Sequence, residues 1–417
     1  MSLIQTIRKH GVKDSLKVVG GKVSQSINRT LFYAFRICPI DKTRVVLESE
    51  GDLCDNTYAL YDYMRREGYL EKYHIIWMVN DLDHAKREIG THTSFVSKSA
   101  EKIQAKRSYY LATCGWHIYD HCNMMADVKK REEQTLVYLS HGWGYKAAKG
   151  GTMKNDKSTC KYITSTGKLA AEGLAAFWGE PIEKILITGY PRIDYFYQET
   201  KKTREVANEK WKFKDYKKVI FWMPTFRKSN NASVSEEYIK NETGLPIFET
   251  RQSLQQFSAF LKKNNILLVF KLHHLQAELP VFTELKAPVI VVRDEDLAEN
   301  GIQLYQFLAL ADALISDYSS VSIDYLALDR PIVYTLDDYE QYNASRGLFP
   351  QDAINYMPGY HVYTEEELEQ SIFEICQGID KYADERKRIQ PEYHEFLDGN
   401  SSKRILTKLG ILLDAEK

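Results

Sequence analysis

The chain has 417 residues, 44% hydrophobic and 12% aromatic, with a formal charge of −1. That length accommodates two or three domains with substantial cores, and the near-neutral total argues against a general nucleic-acid binder. No apolar run approaches the ~18 residues needed to span a bilayer and no signal peptide is evident. The six cysteines form no CxxC pair and read as reduced thiols of a cytosolic protein.

The charge is unevenly spread. Residues 1–36 carry Arg8, Lys9, Lys13, Lys17, Lys22, Arg29 and Arg36 against Asp14 alone, a net of +6. Apolar residues interleave from Leu3 to Leu31, and Leu31-Phe32-Tyr33 closes the segment. A basic helix with an apolar face suits an anionic membrane surface; the alternative is a solvated helix packed on the body of the protein. Gly11, Gly20 and Gly21 interrupt the pattern.

From Thr43 onward, short β-rich runs alternate with amphipathic stretches. Val45–Leu47, His74–Val79, Ser94–Val96, residues 116–119, Leu136–Leu139 and Ile185–Thr188 predict strands, with helices over Asn56–Arg66 and Glu101–Tyr109. A lysine-rich stretch from Gln198 to Lys218 breaks the rhythm and reads as an inter-domain connection. A second set follows: Val219–Trp222, Ile266–Phe270, Val289–Val292, Ala313–Ile315 and Ile332–Tyr334, with helices at Ser253–Lys263 and Leu304–Leu310. The polar loop Lys228–Pro246 is expected to be lid-like. Helices are expected at Glu365–Cys376 and Ser402–Leu413. The alternation predicts an α/β protein with two doubly wound, Rossmann-like halves facing a cleft, where ligands bind beyond the carboxyl ends of the strands.

Five polar clusters fall at such ends. Ser140-His141-Gly142-Trp143-Gly144-Tyr145-Lys146 offers an imidazole and glycines that permit close backbone approach; His141 suits a base or merely a cap. Gly189-Tyr190-Pro191-Arg192-Ile193-Asp194 offers the planar Arg192 fork to an anion, or a surface Arg192–Asp194 pair. Met223-Pro224-Thr225-Phe226-Arg227 brings a hydroxyl and a cation, and Lys271-Leu272-His273-His274 a cation and two imidazoles. Asp317-Tyr318-Ser319-Ser320 begins a helix carrying Asp324, where hydroxyls and backbone N–H groups suit a phosphate. Arg346-Gly347 lies in a loop able to close over a ligand.

Other signals carry less. In Cys114–Cys122, His117 and His121 look metal-like, but a strand there puts them on one face only weakly and no further ligand set is evident. Asp81-Leu82-Asp83 resembles a metal-binding DxD and caps a helix equally well. No GxGxxG follows a strand, and neither GxxxxGK[ST] nor GxSxG occurs.

The ordered set SHGWGYK, GYPRID, MPTFR, KLHH, ISDYSSVSIDY and RGLF, over roughly residues 43–350, resembles the CDP-glycerol glycerophosphotransferase family, whose members build teichoic acids and capsular polymers. Family members usually carry HGTPLK at the first motif, where Trp143-Gly144-Tyr145 here replaces Thr-Pro-Leu. They often carry His-Pro at the fourth, so the family's histidine matches His273. The resemblance implies a GT-B-like fold: a basic N-terminal segment (1–42), an acceptor-side domain (43–200), a CDP-donor-binding domain (215–390) and a C-terminal helix (391–417). It implies transfer of glycerol phosphate from CDP-glycerol to a hydroxyl of a membrane lipid-linked acceptor or growing polymer, with CMP released at the cytoplasmic face of a bacterial membrane. His141 is then the catalytic base and His273 a donor-phosphate ligand or acid. Arg192, Pro224, Thr225, Lys271, Ser319, Ser320 and Asp324 fall at donor-binding positions, with Arg346 closing over them. No cofactor is required, and Mg2+ is expected at most as a companion of the donor diphosphate. CDP-ribitol transfer, a GT-B glycosyltransferase and a non-catalytic nucleotide or polymer binder are the competing expectations; retention of both histidines speaks against the last.

Overall fold

The computed structural model describes residues 20–90, 92–99, 101–121, 128–147, 156–198, 200–225 and 242–413, apart from the side chains of residues 156, 157, 274 and 275. Its strands form two sheets. The first contains β1 (Asp41–Glu48), β2 (His74–Val79), β3 (Ser94–Ser97), β4 (Cys114–Tyr119), β5 (Thr135–Tyr138), β6 (Tyr162–Ser165) and β7 (Ile185–Ile187), in spatial order β3-β2-β1-β4-β5-β6-β7. The second contains β8 (Lys218–Trp222), β9 (Ile266–Phe270), β10 (Val289–Val291), β11 (Ala313–Ser316), β12 (Ile332–Thr335) and β13 (Tyr360–Val362), in order β10-β9-β8-β11-β12-β13. Every pairing is parallel. Parallel strands covered on both faces are near-continuous apolar runs, as the wholly buried β9 is, and as β11 is up to Ser316, whose hydroxyl donates to the Met223 carbonyl. Strand order reverses between β1 and β4 and again between β8 and β11, and each reversal opens a crevice at the carboxyl edge.

The expected alternation is present, with two additional strands. β6 and β13 are short, and their polar residues (Thr164, Ser165, His361) give no continuous apolar run. The lysine-rich connection contains a helix, Lys201–Trp211. It is anchored by Trp211 against Phe307, with ring centroids 5.0 Å apart. Two further helices, Lys168–Trp178 and Ala383–Tyr393, lie where no element was expected. The helix expected over Glu101–Tyr109 begins instead at Ala105. Residues 1–19 and 228–241, which include most of the expected lid, lie outside the described set.

Residues 20–35 are helical. At about 100° per residue, Asn28, Phe32 and Phe35 share one face, and this face packs on the first half. Phe32 joins a core with Val46, Ile76 and Met78, while Asn28 donates to the Lys102 carbonyl and accepts from Gln104 N–H. The opposite face leaves Val23 53%, Ile27 37% and Tyr33 46% exposed, with Ile37 beyond the helix end at 91%. Among the described residues no helix is long and apolar enough to cross a membrane.

The chain ends where it began. After β13 and the helix Glu365–Cys376, helix Ala383–Tyr393 packs on Lys168–Trp178 of the first half. The terminal helix Ser401–Leu409 buries Ile405, Leu406 and Leu409 with Val45, Leu60 and Trp77. Asp194 fixes its start by accepting from Ser401 N–H (2.9 Å), Ser402 N–H (2.8 Å) and Ser402 Oγ (2.8 Å). Asp194 therefore serves the terminal helix instead of pairing with Arg192. A single apolar cluster runs from Leu136, Ile163 and Leu174 of one half to Val219, Leu314 and Ile332 of the other.

A buried ionic group also ties the halves. Arg192, 5% exposed, donates from Nη1 to both Asp55 carboxylate oxygens (2.8 and 3.1 Å). Its Nε and Nη2 donate to Asp324 Oδ2 of the second half at 3.1 and 2.5 Å, and the Tyr305 hydroxyl donates to the same oxygen. Burial disfavours the guanidinium charge, but Asp324 and Asp55 outweigh it and hold the Arg192 pKa well above its ordinary value. Removing one member of such a group strands a charge in low dielectric. Asp324→Ala should therefore destabilise the protein by about 3–5 kcal/mol in urea unfolding, and Asp324→Ala with Arg192→Met should recover part of that loss. A single-variant cost below about 1 kcal/mol would show that the group does not join the halves.

Candidate active site

The loop after β5 carries the first cluster. Asn56, at the head of the helix Asp55–Arg66, donates to the Ser140 carbonyl at 2.8 Å and accepts from Arg192 N–H at 3.1 Å. One buried amide thereby sets this loop against the Gly189–Asp194 turn. Ser140 has φ +61° and Gly142 +94°, so the chain doubles back at the cleft. A Cβ on Gly142 would overlap the Arg192 guanidinium and the Ser320 side chain, and one on Gly144 would overlap the Tyr318 carbonyl oxygen. The glycines thus let the first half touch the Tyr318–Ser320 segment of the second. The contact continues as Lys146 bridges Leu348, with Ala147 N–H donating to Gly347 O (3.1 Å) and Phe349 N–H to Tyr145 O (2.9 Å). Trp143 points away from the cleft. It is 5% exposed, rests on Gly173 and meets Phe349 edge-on, so replacement of the usual Thr-Pro-Leu alters packing behind the loop.

His141 opens onto the cleft and is solvent-exposed, yet protein walls surround it. Desolvation by those walls, followed by the neighbouring His121, pushes its pKa below the ordinary histidine value, against the smaller opposing effect of Asp55. The ring is therefore neutral at pH 7. Its Nδ1 lies 2.8 Å from the Tyr138 hydroxyl. The His121 ring stands 4.7 Å away and pairs with Glu50 at 3.2 Å.

In the second half, Asp317 organises the crevice between β8 and β11. It is fully buried and accepts from Thr225 N–H (2.8 Å), Thr225 Oγ1 (2.6 Å) and Ser319 N–H (3.1 Å). Pro224 and Thr225 follow β8, while Ser319 precedes and Ser320 opens the six-residue helix Ser320–Tyr325. The Thr225 hydroxyl is thus spent on Asp317. Arg192 and Asp324, expected to meet the donor, bind each other below the cleft floor. The reason is electrostatic: two facing charges desolvated together are stable only as a pair. Lys271 leaves β9 with its side chain largely buried and pairs with the exposed Asp294 at 2.9 Å. His273, exposed, lies at the same edge. With β8 between β9 and β11, it sits two strand spacings, roughly 10 Å, from the Ser319 strand end. Arg346 ends the helix Tyr339–Ser345, in the loop that pairs with residues 145–147.

Asp81 caps the helix Leu82–Ile89, accepting from Asp83 and His84 N–H, so the DxD fulfils the helix-start reading. His117 and His121 diverge. His117 is buried against Glu48 at 3.5 Å, whereas His121 joins His141. Among the described residues no group of three or more His, Cys, Asp or Glu side chains could hold a metal ion. A cavity of about 580 Å³ opens beyond β12, and its walls include Glu249, Asp337, Asp338 and Glu340; these acids would repel a diphosphate. The residues that composition and spacing did not single out are Asp55, Asn56, Tyr138 and Tyr305, while Asp120 and His121 lay in the segment weighed only for metal binding. All are joined to the site by tertiary contact alone. Asp317 lay within a quoted motif but carried no expected role.

The inner edge of β1 and β4 is polar and dry. Asp120 accepts from Thr57 N–H at 2.9 Å, and burial, then Asp55, raises its pKa well above the carboxylate range. Burial likewise lifts Glu48 to about 8 against the opposing charges of Lys98, Arg107 and Lys130. A raised carboxyl pKa means that the folded state keeps a proton the unfolded chain loses, so stability falls as pH rises from about 4.5 to about 8. Glu48→Gln should flatten that slope, gaining more than about 1.4 kcal/mol, the value of one pKa unit, at pH 8 relative to pH 5. Parallel urea-midpoint profiles for the two proteins would count against a protonated Glu48.

Comparison with known proteins completes the description. A teichoic acid poly(ribitol-phosphate) polymerase of Bacillus spizizenii is 25% identical over 413 residues, covering 92% of this chain and 60% of the relative. A teichoic acid glycerol-phosphate primase of Bacillus subtilis is 30% identical over 60% of this chain and 57% of its own length. The chain therefore spans less than two thirds of these curated relatives. The solved structure of the wall teichoic acid polymerase TagF superposes with a TM-score of 0.70 at 18% identity, covering 94% of this chain and 96% of that one; the fold is GT-B-like. The family described as CDP-glycerol:poly(glycerophosphate) glycerophosphotransferase matches residues 30–410, and the chain belongs to it.

Proposed function

We propose that this protein transfers glycerol phosphate from CDP-glycerol to the terminal hydroxyl of a lipid-linked saccharide or growing polymer, releasing CMP. The observation that carries this reading is the junction of the two halves. There Gly142, the residue after His141 in the first half, packs on the Ser320 side chain of the second, with His273 and Lys271 along the carboxyl edge of that second sheet. Phosphoryl transfer needs positioning and charge stabilisation more than covalent help. The acceptor oxygen attacks the phosphorus bearing glycerol, its proton passes to the neutral His141, and the bond to CMP breaks. Ser319 and Ser320 hydroxyls hold the diphosphate, while Lys271 and His273 offset charge on the leaving phosphate. Arg192, Asp324 and Thr225 act beneath, fixing the loops that carry these groups; Pro224 shapes the turn and Arg346 closes the rim. Mg2+, were it to accompany the donor, would offset charge on the diphosphate beside Lys271 and His273. CDP-ribitol is a second donor reading, favoured by the poly(ribitol-phosphate) polymerase among the relatives.

The N-terminal helix supports work at the cytoplasmic membrane surface. Its outer face offers Val23, Ile27, Tyr33 and Ile37 to solvent, with Lys22 and Arg36 alongside. Such a face inserts into the headgroup boundary while the cations meet anionic lipid.

His141→Ala should lower CMP release from CDP-glycerol or CDP-ribitol, with a lipid-linked acceptor analogue, by at least about 100-fold. Donor affinity should stay within about threefold; full turnover in that variant would remove His141 from the reaction. Mass spectrometry of a product lacking donor phosphate would assign glycosyl transfer instead. Ile27→Glu should weaken binding to phosphatidylserine vesicles about tenfold or more, since burying an isoleucine is worth about 1.5–3 kcal/mol. Unchanged vesicle sedimentation would defeat the membrane assignment.

A further inference from the structure

A general base must present a lone pair in a fixed direction, and a neutral imidazole carries its one proton on either nitrogen. In strands, residues three apart point to opposite faces. Here the left-handed Ser140, φ +61°, reverses that alternation, and the His141 ring returns to the Tyr138 side. Tyr138 cannot follow a moving partner: it is 1% exposed, packs 5.2 Å from Tyr119 and meets Trp178 edge-on at 6.1 Å. Its hydroxyl lies 2.8 Å from His141 Nδ1.

Resting on the function proposed above, we infer that Tyr138 is the positioning residue of the base: its phenolic oxygen accepts a hydrogen bond from His141 Nδ1–H, leaving the Nε2 lone pair to take the acceptor's proton. As the acceptor oxygen bonds to phosphorus and the phosphorus–oxygen bond to CMP breaks, the proton arrives at Nε2. Nδ1–H meanwhile keeps its bond to Tyr138, so the imidazolium forms without reorientation. The partner is a neutral phenol, so it fixes direction without adding negative charge. Basicity is left to the groups that face the ring: His121 after β4, with Glu50 behind it; Asp55 at the first helix; Arg192 after β7; and Lys146 on the same loop. These, with desolvation, set a neutral ring at working pH. The acid limb of kcat/KM is accordingly expected below pH ~6.5, the ordinary imidazole value.

Tyr138→Phe keeps the shape and removes only the oxygen. Nitrogen-15 NMR of the full-length protein, with the His141 signal assigned by its loss in His141→Asn, should show Nδ1 protonated. In Tyr138→Phe the signal should move toward the other tautomer or a mixture. kcat for CMP release should fall at least about tenfold, with KM for CDP-glycerol within about twofold; tautomer loss in a serine-protease triad costs up to ~10⁴. The acid limb should stay within about half a pH unit, because no charge is removed. An Nε2–H tautomer in the unsubstituted protein, or an unchanged kcat in Tyr138→Phe while His141→Ala is inactive, overturns the inference. Failure of the unsubstituted protein to consume any CDP-polyol overturns the reaction instead, and the tautomer measurement still decides the hydrogen bond.

Discussion

The guanidinium of Arg192 is the point on which the two halves are registered. A cation with so little access to water persists only where carboxylates meet it from fixed directions, and here one comes from each half. Asp55 leads the first helix of one half, and Asp324 sits on the helix that follows the paired serines of the other. Any relative shift of the sheets of even an ångström would uncouple that geometry. Gly142 lies directly above the same group, so the height of the histidine loop is set by it as well. The loops at the surface of the cleft inherit their geometry from this ion group.

Above that floor, charge is arranged by depth. The buried carboxyls Glu48 and Asp120 have raised pKa values, while the equally buried Asp317 is surrounded by three donors. His141 is kept neutral by desolvation and by the ring beside it. Lys271, at the carboxyl edge of β9, meets the exposed carboxylate of Asp294. A dianionic ligand arriving at this edge would compete with that carboxylate for the lysine, whereas the buried pairs below have no cheaper alternative.

Much of this was legible before any coordinates. Strong apolar runs such as Ile266–Phe270 announced buried parallel strands, and the polar clusters fall at their carboxyl ends. Short strands with polar residues, β6 and β13, lacked that contrast, and the helix Lys201–Trp211 hid behind its lysines because only Ala207, Trp211 and their neighbours face the core. Site roles were less readable than site membership. Arg192 and Asp324 were identifiable as important, but nothing in a linear chain says that residues 132 positions apart neutralise each other. Tyr138 gave no local signal at all, since a tyrosine in an apolar strand looks like core until a backbone reversal two residues later brings an imidazole to its hydroxyl. Asp194 offers the same lesson in reverse: beside Arg192 in sequence, it belongs to a helix more than two hundred residues away.

That last attachment has a bearing on biogenesis. The hydrophobic cleft between β1, β2 and the helix Asp55–Arg66 is filled by Ile405, Leu406 and Ile411, which a ribosome delivers only after the strands of both sheets. The second sheet can assemble around its own core while still tethered to translation; the first must wait with an open seam. Arrival of the helix Ser401–Leu409, rather than completion of either sheet, is therefore the event that closes the seam beside the first strands.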